Sequence, residues 1–195
     1  MEHRLLLHSE GECPWRSAEG EDFPAPRDSE IVLFASFLEH RLSMPMSGFV
    51  EGLLYYYMIQ LHHLTPASIL HISVFAHFCE AFLGIELHFD FFKALYRLVP
   101  LPFSERMGRV GCGHLELNKK VIGKYLVFPK IALSPQWPND WFYIRSPSTG
   151  LSQFSAEPAE WLKSWYLGSV TGRPAQVFEL LERAIRFWKM GVTTA

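Results

Sequence analysis

Cysteine is scarce in this 195-residue chain, where it occurs at positions 13, 79 and 112. Three widely spaced cysteines without a CxxC pair exclude a disulfide framework and a four-cysteine zinc site. The amino-terminal sequence MEHRLLLHSEGECPW also lacks the long apolar core of a signal peptide. We therefore expect an intracellular protein, cytoplasmic or nuclear, that is not secreted.

Charge is also scarce, and it is nearly balanced. Charged side chains make up 19% of the chain, and 18 basic against 20 acidic residues give a net charge of -2. This balance excludes a global positive field that would draw the whole protein to nucleic acid or to anionic lipid.

A long stretch without Asp, Glu, Lys or Arg covers residues 52–79. Its length matches a membrane-spanning helix, but four histidines, Gln60 and the pair Thr65-Pro66 interrupt it. A spanning helix needs about 18 consecutive apolar residues, and no part of this stretch provides them. We interpret the stretch as a buried pair of helices and expect no membrane partner.

Aspartate is rare, which limits metal-dependent chemistry. The four aspartates are Asp22, Asp28, Asp90 and Asp140. A transposase needs three carboxylates that converge on two metal ions, and the best triad in this sequence is Asp90, Asp140 and Glu179. Capping and turn roles explain both aspartates equally well, and nothing in the spacing supports convergence.

The motifs of other enzyme classes are missing from the sequence as well. The chain has no Walker A loop, GxSxG elbow, GxGxxG fingerprint, CCHC zinc knuckle, adjacent aspartate pair or Asp-Thr/Ser-Gly loop. We therefore expect no catalytic residues, no cofactor and no enzyme activity.

Apolar and aromatic side chains are abundant. Hydrophobic residues make up 49% of the chain, including 16 Phe, 7 Tyr and 6 Trp, which predicts a large aromatic core. Residues 9–30 are acidic and contain Gly and Pro, so we interpret residues 1–29 as an acidic disordered leader. The rest predicts an α+β fold, predominantly α, with a helical half, a small antiparallel sheet and C-terminal helices.

Cap and breaker residues divide the helical half, residues 30–98, into four helices. Ser29, Ser47 and the pair Thr65-Pro66 are start signals, and Gly84 is a stop signal. Residues 31–34 could instead begin as a strand, because they are uniformly apolar. The predicted helices span residues 30–42, 48–61, 66–83 and 89–98.

The pattern beyond Gly108 changes to short β-like runs separated by Gly, Pro, Asn and Ser. These runs predict one small antiparallel sheet within residues 110–145. They cover residues 112–117, 125–128 and 141–144. Helical patterns return at residues 157–167 and 174–189, and we expect residues 147–195 to be a truncated helical extension.

Several potential zinc ligands concentrate in the charge-poor stretch and just after it. On a helix, His71 and His77 stand about 120° apart, whereas His77 and Glu80 share one face. We interpret His77 and Glu80 as an intrahelical pair and His62 and His63 as partners of backbone groups, and we expect no metal site. The potential ligands are His62, His63, His71, His77, Cys79, Glu80 and His88.

One segment, residues 93–130, is basic. Its eight basic residues outnumber two acids, Glu105 and Glu116, and a basic patch with nearby aromatics is typical of proteins that track a phosphate backbone. A solvated rim around a small sheet is the other interpretation. The candidates for nucleic-acid contact are Lys93, Arg97, Arg106, Arg109, Lys119, Lys120, Lys124 and Lys130.

Three stretches carry a family resemblance: GLLYYYMIQLHHLTP at residues 52–66, ILHISVFAHFCEAFLGI at residues 69–85 and WFYI at residues 141–144. Together with residues 37–98 as a whole, they resemble the plant "putative gypsy-type transposon" domain of retrotransposon-derived reading frames. The resemblance covers about residues 31–146, so we place a gypsy-type transposon domain at residues 30–146.

The resemblance implies a transposon-derived protein and assigns no catalytic residue to any position. We therefore expect a non-enzymatic structural or assembly module that associates with itself or with other element-encoded proteins. A nucleic-acid-binding component of a mobile-element complex, acting through residues 93–130, is the alternative. A metal-dependent transposase built on the carboxylate triad is the second alternative.

Overall fold

The computed structural model describes residues 15–101, 110–119, 121, 134–145 and 179. The strands are β1 (Trp15–Ser17), β2 (Glu30–Phe34), β3 (Tyr96–Pro100), β4 (Gly113–Leu117) and β5 (Trp141–Arg145). The α-helices are α1 (Ala35–Glu39), α2 (Gly48–Tyr57), α3 (Pro66–His77) and α4 (Phe89–Leu95). Short 3-10 turns cover Leu61–His63 and Trp137–Asn139, and a π-helical turn covers Phe78–Leu83.

The fold is mixed, and the predicted predominance of helix is wrong. Of the described residues, 42% are helical and 22% are in strands. The strands form two antiparallel sheets, one with the order β1-β5-β2 and one that pairs β3 with β4. Strands from the amino-terminal half therefore take part in both sheets.

Two segments predicted as helix are strands because they find partners far along the chain. In place of one helix over residues 30–42, β2 pairs along its full length with β5 before α1 begins. The predicted helix over residues 89–98 likewise ends at Leu95, and β3 then pairs with β4. Pairing with a distant strand overrides local helix propensity in both places.

The predicted single sheet within residues 110–145 is also wrong. β4 and β5 lie in different sheets, and each pairs with a strand from the first hundred residues. The predicted strand at residues 125–128 and the predicted helices at residues 157–167 and 174–189 lie outside the described residues, apart from the helical Glu179.

Residues 15–30 depart from the expected disordered leader, because they pack onto β5. β1 pairs with β5, and the Arg16 guanidinium lies 3.7 Å above the ring of the fully buried Tyr143. Arg16 also donates to both carboxylate oxygens of Glu30, at 3.2 and 2.8 Å, and to Glu21 at 2.8 Å.

The two carboxylates around Arg16 are stabilised in their charged forms. The hydroxyl of Tyr143 donates to Glu21, and this bond lowers the pKa of Glu21. The hydrogen bonds from Arg16 lower the pKa of Glu30 in the same way. The acidic side chains of Glu21 and Glu30, which suggest a solvated leader, therefore attach residues 15–30 to the sheet.

α2 begins where its cap predicts and ends earlier than its apolar pattern predicts. The Ser47 hydroxyl accepts a hydrogen bond from the backbone N–H of Val50 at 3.4 Å. The helix ends at Tyr57 rather than at residue 61, because Met58 takes a left-handed conformation with φ of 53°. This turn directs Ile59 into the core, where it is 5% exposed.

α3 follows the predicted boundaries closely. Thr65 caps it by accepting from the backbone N–H of Ser68 at 3.2 Å, and Pro66 occupies the first helical position. After His77 the chain continues in the π-helical turn, which ends at Gly84 with φ of 63°. The sequence prediction of one helical stretch that stops at Gly84 is thus confirmed.

The stretch Pro66–Leu83 is the one helix of the described residues that is long and apolar enough to cross a membrane, by length and composition only. Its mean hydropathy is 1.3 over 18 residues. Within this fold it contacts α1 and β4, and the Phe75 side chain is completely buried. The rings of Phe49, Phe91 and Phe92 surround Phe75 with centroids 5.2 to 5.6 Å away.

Residues 62–68 and residues 110–115 meet along a contact that we call the seam. The N–H of Gly111 donates to the carbonyl of His62 at 2.8 Å, and the N–H of Thr65 donates to the carbonyl of Gly113 at 3.1 Å. Gly111 has φ of 66°, and a Cβ built there would lie 2.6 Å from the ring of Trp137. The seam therefore requires glycine at position 111 for backbone conformation and for space.

Two glycine-to-alanine changes should act in opposite directions. Gly111→Ala should lower the free energy of unfolding by about 2–4 kcal/mol, since it adds left-handed strain and a ring clash. Gly52→Ala lies within α2, where an added Cβ meets nothing within 4 Å, so it should raise the free energy of unfolding by about 0.5–1 kcal/mol. Urea unfolding measures the free energy of unfolding of both variants. A Gly111→Ala variant that is at least as stable as the wild type would contradict the placement of Gly111.

Candidate functional site

The potential zinc ligands do not converge among the described residues, and two of them, His63 and His71, contact the backbone instead. Among the residues that the structure describes, no three or more His, Cys, Asp or Glu side chains form a group that could hold a metal ion. His63 Nδ1 accepts from the backbone N–H of Gln60 at 3.0 Å, which confirms its predicted role as a partner of the backbone. His71 Nδ1 lies 2.9 Å from the carbonyl oxygen of Leu115.

His77 and Glu80 do not form the predicted pair within the described part of the chain. The π-helical turn after His77 changes the angular spacing of the residues that follow, and the His77 ring instead contacts Phe82 edge-on at 5.7 Å. Cys79 is fully buried, and burial raises the pKa of its thiol to about 12. A thiol in this state is neither a good metal ligand nor a good nucleophile at neutral pH.

The three acids of the suggested triad do not come together among the described residues. Asp90 forms an ion pair with Lys93 at 2.9 Å near the start of α4. Asp140 follows a 3-10 turn, and its carbonyl accepts from the N–H of Ala35 at 3.0 Å. Glu179 is exposed. Asp90, Asp140 and Glu179 therefore form no metal-holding group among the described residues.

Three of the eight basic candidates for nucleic-acid contact are described, and two of them are neutralised. Lys93 Nζ pairs with Asp90 and lies 5.0 and 4.9 Å from the ring centroids of Tyr56 and Phe89. Arg97 pairs with Glu116 across β3 and β4. Lys119 is exposed. The remaining five lie outside the described residues: Arg106, Arg109, Lys120, Lys124 and Lys130.

A groove of about 630 Å³ lies between α3 and residues 41–50. Its floor is apolar, since it is formed by buried side chains that include Leu42, Val50, Ile69 and Ile72. Its volume falls within the range of about 300–1,000 Å³ that is common for ligand sites in proteins. The groove is therefore a candidate binding site within the described residues.

One wall of the groove is a face of α3. Leu70, Ser73, Val74 and His77 follow the spacing of a single helical face, and each of them is at least partly exposed. The Ser73 hydroxyl contacts the carbonyl oxygen of Arg41 at 3.2 Å, which ties the opposite wall to the middle of α3.

Opposite charges lie on the rim of the groove. Arg41 and Glu80 are both exposed, and neither has an ion-pair partner within the described ranges. The backbone carbonyl of Arg41 lies beside Ser73 in the middle of α3, and Glu80 lies seven residues further along, in the π-helical turn that follows the helix. Arg41 has φ of 73°, an uncommon conformation for a residue other than glycine that often occurs at binding sites.

Residues 31–100, which are 70 of the 195 residues, match the family model described as "Putative gypsy type transposon". This segment is similar to that transposon family. The match confirms the resemblance seen in the sequence over a shorter range than residues 31–146, and the plant source stays a prediction. No curated protein and no solved structure matches the chain.

The matched range of this transposon family contains the whole groove. It includes both walls, the rim charges and the amino-terminal side of the seam, whereas β1, β4 and β5 lie outside it. Sequence reasoning missed the groove because its floor and its walls come from segments 20 to 40 residues apart. The only local signal was an outward face of α3 that carries Ser73, Val74 and Ala76 rather than strongly polar residues.

Burial of Cys79 should make it unreactive in the folded protein. At pH 8, N-ethylmaleimide should modify Cys79 about a thousandfold more slowly in the native chain than in the urea-unfolded chain, because the raised pKa leaves little thiolate. Mass spectrometry of the peptide that contains Cys79 measures the rate. Equal rates in both states would contradict its buried position and reopen a role for Cys79 in chemistry.

Proposed function

We propose that this transposon-related chain is a non-enzymatic protein-binding module whose groove takes one amphipathic α-helix of a protein partner. The observation that carries the proposal is the combination of an apolar floor with two opposite charges on the rim that have no ion-pair partner among the described residues. Such a surface is typical of sites that bind the apolar face of a helix and select it by charge.

The shape of the groove supports a helical occupant. The wall formed by α3 presents small or modest side chains at Ser73, Val74 and Ala76, so a second helix can approach closely. From Ile69 to His77 the α-helical part of the wall is about 12 Å long at 1.5 Å per residue, which corresponds to about two turns of a bound helix. Two turns supply the i, i+3, i+4 and i+7 anchors that helix-in-groove binding uses.

The rim charges define the chemistry and the direction of the partner. An acidic side chain on the bound helix would lie near Arg41, and a basic side chain about two turns away would lie near Glu80. A partner helix whose acid precedes its base would run parallel to α3, and one whose base precedes its acid would run antiparallel to it. Each exposed pair contributes about 0.2–1 kcal/mol, so the apolar floor supplies most of the affinity and the charges supply the orientation.

The polar residues elsewhere in the described structure support a role without catalysis. His63 and His71 are hydrogen-bonded to the backbone, Cys79 stays protonated, and Asp90 is paired with Lys93. These side chains stabilise the fold. Arg41 and Glu80 on the rim of the groove, in contrast, are exposed and available to a partner.

The charge rule can be tested with two synthetic amphipathic peptides that differ at one position. Both carry leucines at i, i+3, i+4 and i+7; one has a glutamate and a lysine seven positions apart, and the other has lysines at both of these positions. The wild-type chain should bind the first peptide about fivefold more tightly, and the variant Arg41→Glu should prefer the second. Fluorescence anisotropy of labelled peptides gives both dissociation constants.

Lys119→Glu is the matched control, since Lys119 is exposed and does not line the groove. This variant should keep the wild-type preference between the two peptides. Failure of the wild-type chain to bind either peptide, or a preference that Arg41→Glu does not reverse, would refute binding of a helix in the groove.

A further inference from the structure

A chain of hydroxyl and imidazole groups crosses the seam between α3 and β4. Thr65 Oγ1 lies 3.0 Å from Nδ1 of His114 and 2.8 Å from Oγ of Ser68. Ser68 Oγ in turn accepts from the backbone N–H of Leu115 at 2.9 Å. Thr65 is 4% exposed and Ser68 is fully buried, so water cannot readily replace a lost hydrogen bond here.

The hydroxyl hydrogens of Thr65 and Ser68 have one arrangement in which both find an acceptor. Thr65 Oγ1 already accepts from the backbone N–H of Ser68, and each hydroxyl has one hydrogen to donate. If His114 Nδ1 carries no hydrogen, the Thr65 hydroxyl donates to it and the Ser68 hydroxyl donates to Thr65. Both hydroxyls and the backbone N–H groups of Ser68 and Leu115 then have acceptors, which favours the neutral imidazole with its hydrogen on Nε2.

Protonation of His114 breaks this arrangement. Nδ1 becomes a donor to Thr65 Oγ1, so the Thr65 hydroxyl must turn towards Ser68 Oγ. That oxygen still accepts from Leu115, and the hydrogen of the Ser68 hydroxyl loses the acceptor it had. A buried donor without an acceptor destabilises the folded state, and the contact affected is the seam itself.

The charged and titratable groups near His114 do not compensate for the positive charge that protonation adds to its ring. From α3, the ring of His71 lies 6.1 Å away, and it contacts Tyr96 of β3 at 5.4 Å. On β4, Glu116 raises the pKa of His114, but Arg97 of β3 already pairs with Glu116. Val99 is the residue of β3 directly opposite His114.

Burial outweighs these charges for both imidazoles. It lowers the pKa of His114 despite Glu116, and it lowers the pKa of His71 despite the hydrogen bond to the carbonyl of Leu115. A histidine whose pKa is lower in the folded chain is protonated first in the unfolded chain. Stability is therefore complete above the ordinary pKa of about 6.5 and falls as the pH drops below it.

We propose that the His114–Thr65–Ser68 chain is a pH-sensitive contact that closes the seam when His114 is neutral and loosens it when His114 takes up a proton. The contact couples the start of α3 to the β3–β4 sheet, so a mildly acidic environment weakens the attachment of one to the other. These three residues lie outside the helix-binding groove, since none of them lines it.

The test compares urea unfolding at pH 7.5 and pH 5.5 for the full chain and for His114→Asn. The asparagine carboxamide can accept from the Thr65 hydroxyl and does not titrate. Between these two pH values, each histidine that stays neutral in the folded state raises the unfolding equilibrium constant about tenfold. The rise should be about tenfold smaller in His114→Asn than in the wild type.

His88→Asn is the matched control, because His88 is exposed and makes no side-chain cap bond at the start of α4. It should show the same pH-dependent rise as the wild type. An equal rise in His114→Asn and the wild type would overturn the proposal.

A second measurement does not depend on any variant. NMR of the wild-type imidazoles should show His114 titrating with a midpoint below 6.5 and with its proton on Nε2 at pH 7.5. A hydrogen on Nδ1 at pH 7.5, or a midpoint at or above 6.5, would also overturn the proposal.

Discussion

The seam is the contact on which the rest of this structure depends. Residues 110–115 hydrogen-bond through their backbone to residues 62–68, just where α3 begins. The contact sets the position of β4 on one side and of α3 on the other. Since β4 pairs with β3, and α3 forms one wall of the groove, both the small sheet and the candidate binding site are positioned by the same few hydrogen bonds.

A second contact attaches the first described residues to the larger sheet. Arg16 lies over the ring of Tyr143 and binds Glu21 and Glu30 at once, so β1 and the loop after it pack on β5. Ion pairs on an open surface contribute little, whereas a guanidinium held between two carboxylates and an aromatic face is fixed in direction. The two contacts explain how one chain connects two sheets and four helices.

Features set by neighbours in sequence could be predicted, and features set by distant partners could not. Ser47 and Thr65 mark helix starts and Gly84 marks a stop, because capping and left-handed turns act over a few residues. Residues 30–34 and 96–98 were predicted as helix, since nothing local shows that β5 and β4 will pair with them. The acidic composition around Arg16 likewise gives no sign that Arg16 packs on Tyr143, which lies more than a hundred residues away.

The same distinction applies to the candidate site. The histidines and the basic segment stand out in the sequence, yet His63 and His71 are hydrogen-bonded to the backbone and Lys93 and Arg97 are paired with acids. The groove shows no motif, because its floor and its walls meet only after folding. It lies within the range that matches the gypsy type transposon family, which makes it a feature of the matched region rather than of the flanking strands.

Native-state hydrogen exchange tests the central role of the seam most directly. The amides of Thr65, Gly111 and Leu115 donate across or within the seam, and they should exchange only when the whole domain unfolds. Their opening free energies should then equal that of the Ile72 amide inside α3. Opening free energies of the Gly111 and Leu115 amides that are several kcal/mol lower than that of Ile72 would contradict the account. The seam would then open while the rest of the fold stays intact.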